Sequence, residues 1–264
     1  MSKSKRANVR TRPFELAMIH DVQAAPGRPD SHMEALGNYL ADKRPDAIVH
    51  IGDQYDMPTL AVHYHKPGSK FMEGRRVRDD IAAGDQSLAK FQKPINVAKK
   101  KHGWRPAQEF HIGNHEQRIE RIAENDPNIA GDLLGYHSLG LAKLGWRVHP
   151  FLQPNVIGGV SFAHYFYNPK SGRPFGGMLG TRLKTIGFSF AQGHEQGFQF
   201  AIQELSNGTR RQALVGGSFY QHHEEYRGPQ ATNEYQGISY MHELRDGQYD
   251  LMQVSLPYLL KNWL

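Results

Sequence analysis

Apolar and polar positions in the first part of the chain predict a strand, a helix and a second strand. Residues 14–20 and 46–51 are short apolar runs of the kind that form buried strands. Between them, apolar residues recur every three or four positions over 32–43, which predicts a helix with Ser31 as its cap. Each of the two strands is followed by an aspartate: Asp21 and Asp53. The pattern therefore indicates a βαβ unit with an acid at the carboxyl end of each strand.

The stretch 57–106 differs from its surroundings. It is polar, includes the basic run Arg75-Arg76-Val77-Arg78, and is predicted to be helical at about 79–101. We interpret it as a cap-like insertion beside the site, within a single domain that spans residues 14–264. Its arginines lie either on a solvated helix face or along a phosphate-rich channel. The basic residues 1–13 are predicted to form a flexible arm.

Strand signals dominate the second half of the chain. A third apolar run at 110–112 precedes helix signals at 117–125, and hairpins are predicted around the turns 206–208 and 246–247. Further strands are predicted at 146–149, 156–157, 160–163, 188–191, 198–205, 212–215, 238–242 and 249–254. These elements predict an α/β (α+β) fold, a four-layer αββα sandwich of two mixed β-sheets flanked by helices, with a helical cap insertion.

Composition excludes several kinds of chemistry. The chain has no cysteine, which excludes disulfides, thiolate zinc sites and a cysteine nucleophile. It has no apolar run long enough for a membrane span and no apolar stretch typical of a secretory signal, so we expect a cytoplasmic protein without a membrane partner. The apolar residues 256–264 are predicted to dock on the protein or at a dimer contact. A net charge of +6 favours polyanionic partners such as nucleic acid.

Five short segments carry residues suited to metal binding. Each follows a predicted strand, at the edge of an α/β sheet where ligands bind, and offers carboxylate, amide or imidazole groups. In chain order they are Asp21-Val22-Gln23, Gly52-Asp53-Gln54-Tyr55-Asp56, Gly113-Asn114-His115-Glu116, His164, and Gly193-His194-Glu195-Gln196. One such segment is a weak indication, because an aspartate after a strand is often a turn residue. Five in this order indicate a metal centre.

The order of the segments resembles the calcineurin-like metallophosphoesterase superfamily, whose motifs are D-x-H, G-D-x-x-D, G-N-H-[ED], H and G-H-x-H. The resemblance covers residues 14–220, and the stretch from Gly52 to Arg76 is similar to phage-encoded members in particular. It implies a metal-dependent enzyme in which two divalent cations polarise the phosphoryl oxygens and activate a water molecule to the attacking hydroxide.

The resemblance also implies a role for individual residues. Asp53 would bridge the two cations, and His115 would protonate the leaving oxygen as general acid while Asp56 orients it. The second cation would be held by Asp53, Asn114, His164 and His194. Without the other segments, His164 could equally be a core histidine, and His115 a residue that only hydrogen-bonds at a helix start.

Two positions depart from the superfamily pattern, both at the first cation. That cation would take Asp21 and two histidines, but Gln23 and Gln196 stand at the histidine positions. Glutamine offers a neutral carbonyl oxygen, which is a harder ligand than imidazole. We therefore predict Mn²⁺, Mg²⁺ or Ca²⁺ at this position rather than iron or zinc. The alternative is an enzyme with a single metal ion.

Other polar residues are candidates for substrate contact or for packing. Arg118 lies one turn into the helix after His115, where it can contact a phosphate or pair with an acid. His222 and His223 follow the turn Gly216-Gly217-Ser218 and can contact substrate, although a surface loop is the favoured interpretation. Three histidines on strands are interpreted as packing residues: His20, His50 and His111.

Three functions fit this pattern. The first is a phosphodiesterase or nuclease-like enzyme for nucleic acid or nucleotides, which the basic charge favours. The second is a phosphomonoesterase for a small molecule or phosphoprotein; the superfamily's protein-phosphatase motif G-D-x-V-D-R-G is incomplete at residues 52–58, which argues against a protein substrate. The third is a non-catalytic module that binds DNA or a partner. The retained His115 and Asp56 argue against it, since binding alone needs no proton donor.

Overall fold

Two mixed β-sheets pack face to face in the structure, a computed structural model that describes residues 13–61, 70–125, 127–130, 134–222 and 235–264. The strands are β1 (Leu16–Ile19), β2 (Ala47–His50), β3 (Ala107–His111), β4 (Arg147–His149), β5 (Asn155–Ile157), β6 (Val160–Phe162), β7 (Tyr167–Asn168), β8 (Arg173–Pro174), β9 (Phe190–Gln192), β10 (Gln199–Glu204), β11 (Arg210–Val215), β12 (Gly237–Arg245) and β13 (Gln248–Ser255). The helices are α1 (Ser31–Lys43), α2 (Val77–His102), α3 (Gln117–Asn125), α4 (Pro127–Ala130), α5 (Leu179–Ile186) and α6 (Leu256–Trp263). Residues 1–12 of the predicted arm and His223 lie outside the described residues.

Sheet 1 has six strands in the order β13-β12-β1-β2-β3-β4. Strands β1 to β4 run parallel, and β12 and β13 extend the sheet in antiparallel fashion. Helices α1 and α2 provide the crossovers between β1, β2 and β3, as parallel strands require. The carboxyl ends of these three strands therefore lie at one edge of the sheet.

Sheet 2 has five strands in the order β10-β11-β9-β6-β5. Strands β6, β9 and β11 run parallel, and the two edge strands β5 and β10 are antiparallel to their neighbours. The hairpin predicted around 206–208 is confirmed by the pairing of β10 with β11. A separate two-stranded hairpin, β7-β8, was not predicted from the sequence.

Side-chain alternation along the strands produces three apolar clusters. In β1, Leu16 and Met18 face sheet 2 and belong to the same cluster as Phe162, whereas Ala17 and Ile19 face the helices on sheet 1. A third cluster lies between sheet 2 and α5. Helices, sheet, sheet and helix thus form four layers, which confirms the predicted sandwich.

Helices α1, α2 and α6 cover the outer face of sheet 1. Leu36 of α1 and Phe91 of α2 are fully buried in the same cluster. Leu259 of α6 is fully buried there too, and the ring of Trp263 meets Tyr39 edge-on at 5.4 Å. The C-terminal segment therefore docks on the protein, one of the two placements predicted for it.

The predicted cap of α1 is wrong. Asp30 occupies the N-cap position without a side-chain cap hydrogen bond, and Ser31 is the first helical residue. The Ser31 hydroxyl instead donates to Oε1 of Gln221 at 3.1 Å. This bond joins the start of α1 to the loop after β11, a long-range contact that local sequence does not predict.

Helix α2 is close to the helix predicted at 79–101. Its buried face packs along α1, and its first turns, which carry Asp79 and Gln86, reach a cavity beside the site described below. Residues 62–69 lie outside the described residues, and the interpretation of 57–106 as a cap stays a prediction. In the part of the chain that the structure describes, no helix is both long and apolar enough to cross a bilayer.

Candidate metal centre

The five predicted segments meet at one end of the sandwich. Asp21, Asp53 and Asn114 follow β1, β2 and β3 of sheet 1, and His164 and His194 follow β6 and β9 of sheet 2. All five strands run parallel within their sheets, so the segments emerge from carboxyl ends, where α/β folds bind ligands.

Four side chains converge at the middle of this region. Three of them, Asp53, His164 and His194, each place one possible ligand atom within 4.8 Å of the other two. Oδ1 of Asn114 lies 2.9 Å from Nε2 of His164 and 2.7 Å from Nδ1 of His194. These are the residues that the resemblance assigns to the second cation, and the structure brings all four together.

His164 is oriented as a metal ligand. Its Nδ1 lies 2.8 Å from the carbonyl oxygen of Ile51, so Nδ1–H donates there and Nε2 is the unprotonated nitrogen of the neutral ring. Nε2 faces two acceptor oxygens: Oδ1 of Asn114 at 2.9 Å and Oδ2 of Asp53 at 3.4 Å. Such an arrangement requires either a proton or a cation between them. A carbonyl on the far nitrogen is the usual support of a ligating histidine.

The residues predicted for the first cation also fit a cation. Asp21 is fully buried, and its Oδ2 accepts the amide of His194 at 3.0 Å. Gln23 is fully buried as well, and neither its Oε1 nor its Nε2 has a hydrogen-bond partner among the described residues. Burial of a polar group without a partner is unfavourable, which a ligand at this amide would correct. Oε1 of Gln196 accepts the Tyr220 hydroxyl at 3.1 Å.

Several of the predicted ligands have a left-handed backbone conformation. A positive φ is uncommon outside glycine. Four of the predicted ligands adopt one: Gln23 (50°), Asp53 (53°), His194 (70°) and Gln196 (59°). Each such residue costs about 1–3 kcal/mol, and strain of this kind is typical of active sites and ligand clamps. The geometry therefore points to the same site as the unpartnered amide of Gln23.

Two motif glycines allow the carboxylates to approach the backbone. A Cβ on Gly113 would overlap Oδ1 of Asp53, and a Cβ on Gly193 would overlap Oδ1 of Asp21. The same Oδ1 of Asp53 accepts the amide of His115 at 3.0 Å. Glycine is required at both positions because only a residue without a side chain permits this distance.

Burial and mutual charge shift the pKa values in the centre. Burial and the charge on Asp53 raise the pKa of Asp21. Burial opposes ionisation of Asp53 itself, but His115 and His164 outweigh it and lower its pKa. Burial likewise opposes the charge on His164, yet Asp53 raises its pKa to about 9. Burial and His164 lower the pKa of His194 to about 4, so this imidazole is neutral at pH 7 and available to a metal.

His115 and Asp56 form a hydrogen-bonded pair at the edge of the centre. Nδ1 of His115 donates to Oδ1 of Asp56 at 2.8 Å, and Nε2 lies on the inner side, 3.7 Å from Oδ2 of Asp53. Burial opposes protonation, but Asp53 and Asp56 outweigh it and raise the pKa of His115. An imidazole with a raised pKa that faces the centre is suited to general acid catalysis.

Two arginines hold the segment that carries Asp56. Nη1 of Arg28 lies 3.0 Å from Oδ2 of Asp56 and donates to the carbonyl of Gln23 at 2.9 Å. Nη1 of Arg118 donates to the carbonyls of Asp56 at 2.6 Å and Met57 at 3.2 Å. Arg118 thus contacts backbone, and its predicted phosphate contact stays a prediction. Sequence reasoning missed Arg28, because a single loop arginine carries no local signal.

Glu116 joins the second and third segments. It is fully buried; Oε2 accepts the amides of Asp53 at 3.0 Å and Gly113 at 2.9 Å, and Oε1 accepts the amide of Tyr55 at 2.9 Å. Burial and the charge on Asp53 raise its pKa. The motif Gly-Asn-His-Glu contains this acid, but the sequence alone gave it no role. Its three amide contacts identify it as a positioning residue.

A buried ion pair fixes the last segment. Arg182 of α5, only 2% exposed, makes a two-point contact with Glu195, in which Nη2 lies 3.1 Å from Oε2. The amides of Gln192 and Gln199 also donate to Glu195. The segment that presents His194 is therefore held to the helix on the outer face of sheet 2.

Comparison with known proteins gives two similar structures. One is YfcE, a phosphoesterase from E. coli, with a TM-score of 0.38 and 13% identity over 92% of this chain and 100% of that chain. The other is a conserved uncharacterized protein from Streptococcus pneumoniae TIGR4, a predicted phosphoesterase, with a TM-score of 0.31 and 11% identity over 93% of this chain and 100% of that chain. No protein-family model matches the sequence, and neither does any curated protein.

His222 lies close to the centre. Its ring stacks on Tyr220 at 4.3 Å, and the Tyr220 hydroxyl contacts Gln196. His222 also lines a cavity of about 220 Å³ together with Gln23 and Arg28. Its predicted contact with substrate stays a prediction, and His223 lies outside the described residues.

The histidines interpreted as packing residues are buried, as predicted. Each pairs through Nε2 with one polar side chain: His20 with Ser239 at 2.8 Å, His50 with Gln54 at 3.0 Å and His111 with Asn155 at 3.0 Å. Burial lowers the pKa of all three to about 3, so they remain neutral.

Proposed function

We propose that this chain is a metal-dependent phosphoesterase of the calcineurin-like type, acting on the phosphodiesters of nucleic acid or nucleotides. One observation carries the proposal. The ligand atoms of Asp53, His164 and His194 converge within 4.8 Å, and His115, held by Asp56, faces the same point. A non-catalytic module would have no use for this proton donor.

The roles of the residues follow from their contacts. Divalent cations, when bound, supply Lewis-acid activation of the phosphoryl group and of water. Asp53, Asn114, His164 and His194 would hold one cation, and Asp21, Gln23, Gln196 and Asp53 the other. His115 donates the proton on Nε2 to the leaving oxygen, since its Nδ1 proton is engaged by Asp56. The carboxylate of Asp56 is fixed in turn by Arg28.

We propose Mn²⁺, or Mg²⁺ or Ca²⁺, as the first cation. The side chains near it offer carboxylate and amide oxygens, which suit hard cations better than zinc or iron. Metal analysis after loading with Mn²⁺ tests this proposal. We expect exchangeable Mn²⁺ at the first position, whereas two tightly bound zinc or iron ions per chain would contradict it.

The net charge of +6 supports a polyanionic diester as substrate. The test compares turnover of bis-p-nitrophenyl phosphate, p-nitrophenyl phosphate, and single- and double-stranded DNA with Mn²⁺. We expect turnover of diesters. Activity confined to the monoester would indicate a phosphomonoesterase instead, and DNA binding without turnover of any substrate would indicate a non-catalytic module.

Two variants separate chemistry from metal binding. Removal of a general acid lowers kcat by roughly 10²–10⁴-fold, so His115→Ala should lose that factor and keep its metal. Asp53→Ala should lose both metal and turnover. His102→Ala is the matched control, because His102 is exposed at the end of α2 and belongs to none of the five motif segments. Equal activity of His115→Ala and wild type would refute the assigned proton donor.

A further inference from the structure

A row of aromatic rings runs from the metal centre to the protein surface. Tyr165 follows the ligand His164, and its ring lies 4.6 Å from that of His194. Tyr167 stacks on Tyr165 with ring centroids 5.5 Å apart and an interplanar angle of 29°. Tyr165 is 8% exposed, whereas Tyr167 is 39% exposed. The outermost ring is therefore open to solvent, one ring away from a predicted metal ligand.

Phe166, which lies between the two tyrosines in the chain, anchors this segment. Its ring packs against Phe190 and belongs to the apolar cluster between sheet 2 and α5. The hairpin β7-β8, in which Tyr167 pairs with Pro174, begins directly after this anchor. The rings of Tyr165 and Tyr167 remain stacked on the side of His194.

The charge of the same segment is one-sided. Residues 164–178 contain no acid, and the hairpin carries Lys170 and Arg173, both exposed. Neither pairs with a carboxylate among the described residues. A basic hairpin that also presents an exposed ring matches a ligand that combines phosphates with a planar base.

We propose that Tyr167, Lys170 and Arg173 form a nucleobase subsite that holds a base and its neighbouring phosphate next to the metal centre. The inference rests on the proposed function, since the phosphoester bound at the centre would belong to the same nucleotide chain. Every base has a face that can stack on tyrosine, so the subsite recognises nucleic acid without regard to sequence. The side chains of Lys170 and Arg173 contact backbone phosphates.

Binding measured by fluorescence anisotropy tests the role of the ring. The full chain with His115→Ala and Mn²⁺ is titrated into a labelled single-stranded oligonucleotide of about ten nucleotides, and into an abasic strand of equal length. Tyr167→Ala should weaken binding of the oligonucleotide by about tenfold, the loss typical of one stacked base. It should leave the abasic strand unchanged, and Tyr167→Phe should bind like the parent. Tyr258→Ala is the matched control, because Tyr258 is 50% exposed on α6.

Substitution of Lys170 or Arg173 should affect binding differently from substitution of Tyr167. Lys170→Gln and Arg173→Gln should weaken both strands alike and should each reduce the slope of log affinity against log salt by about 0.7. Competition with a mononucleotide then identifies the source of the base. If Tyr167→Ala weakens binding of the mononucleotide and of the oligonucleotide equally, the subsite is assigned to nucleotides. If it weakens binding of the oligonucleotide alone, the subsite is assigned to nucleic acid.

Failure of this inference is distinct from failure of the proposed function. If the abasic strand binds as tightly as the oligonucleotide, or if Tyr167→Ala weakens both equally, the subsite is refuted, even where the wild type hydrolyses bis-p-nitrophenyl phosphate. If base-dependent binding is present but no phosphoester is turned over, the subsite stands and the enzymatic function does not.

Discussion

Gln23 combines complete burial, a φ of 50° and an amide whose two polar atoms have no partner among the described residues. Each of these features lowers the stability of the folded chain. Its neighbour Asp21 is a buried carboxyl whose pKa is raised by burial and by Asp53. A residue that only packs is more stable in this position with an apolar side chain, so the buried amide supports the proposed role of Gln23 as a ligand.

Gln23→Met should therefore stabilise the metal-free protein. Methionine keeps the length of the side chain and removes two unsatisfied polar atoms, whose burial costs about 1–3 kcal/mol. Urea unfolding in EDTA should show a gain of this order, while the stabilisation by Mn²⁺ becomes smaller than in wild type. The matched control is Gln54→Met, because Gln54 is equally buried but its amide bonds His50 and Gly84. Gln54→Met should lower the free energy of unfolding. If Gln23→Met lowers it as well, Gln23 has an ordinary packing role.

Metal binding should release protons near neutral pH. The pKa of His164 is raised to about 9, so without metal this imidazole is protonated at pH 7, and a cation that binds Nε2 must displace that proton. Apparent affinity for Mn²⁺ should accordingly rise with pH up to about 9. Titration calorimetry in two buffers of different ionisation enthalpy measures the protons released. His194, with a pKa lowered to about 4, should contribute none at pH 7; binding without proton release would contradict the assigned ligand.

At the residue scale, the sequence predicted the candidate ligands but not the residues that support them. Asp53, Asn114, His164 and His194 were predicted because each follows a predicted strand and the order of the five segments resembles the calcineurin-like superfamily. The residues that hold them, such as Arg28, were missed, since a support is defined by a contact between distant segments. A local pattern carries no signal for such a contact.

At the scale of elements, α5 links the last motif to the outer layer of the sandwich. Its Arg182 is 2% exposed and pairs with Glu195, whose side chain is 31% exposed. The two partners therefore differ in what happens when the pair is broken. A carboxylate left alone can be hydrated, whereas the buried guanidinium cannot.

Glu195→Gln should consequently destabilise the protein more than Arg182→Met. Loss of one partner of a buried pair costs about 3–5 kcal/mol when the remaining charge stays buried, and we expect Glu195→Gln to approach this range. Arg182→Met should cost less, because Gln192 and Gln199 still donate to the two carboxylate oxygens of Glu195. Urea unfolding of both variants gives the comparison. A larger loss of stability in Arg182→Met than in Glu195→Gln would show that the carboxylate, not the guanidinium, is the poorly solvated partner.

The elements that the sequence predicted are those with strong periodicity or clear turns. Helix α3 was predicted at 117–125, as found, and the hairpin β10-β11 from its Asn-Gly turn. Helix α5 was missed because it has eight residues, includes Gly180 and buries few side chains. The β7-β8 hairpin was missed because two-residue strands have too few positions to show alternation.

On the scale of the whole molecule, the centre lies between the two sheets. Asp21, Asp53 and Asn114 come from sheet 1, and His164 and His194 from sheet 2. The cluster of Leu16, Met18 and Phe162 already joins the sheets through apolar contact. A bound cation would add a second link at the carboxyl edge, so its effect should extend to both layers.

Loading with Mn²⁺ should therefore stabilise the two sheets together. A ligand at 100-fold its Kd that binds only the folded state adds about 2.7 kcal/mol, and EDTA should remove this gain. Hydrogen exchange should slow at the segments after β1 and β2 and equally at those after β6 and β9. Asp53→Asn should abolish the effect, whereas Asp250→Asn, an exposed residue of β13, should preserve it. A cation shared between the sheets restricts the ligands from both of them. Slower hydrogen exchange in one sheet alone would therefore mean that the cation is held by that sheet only.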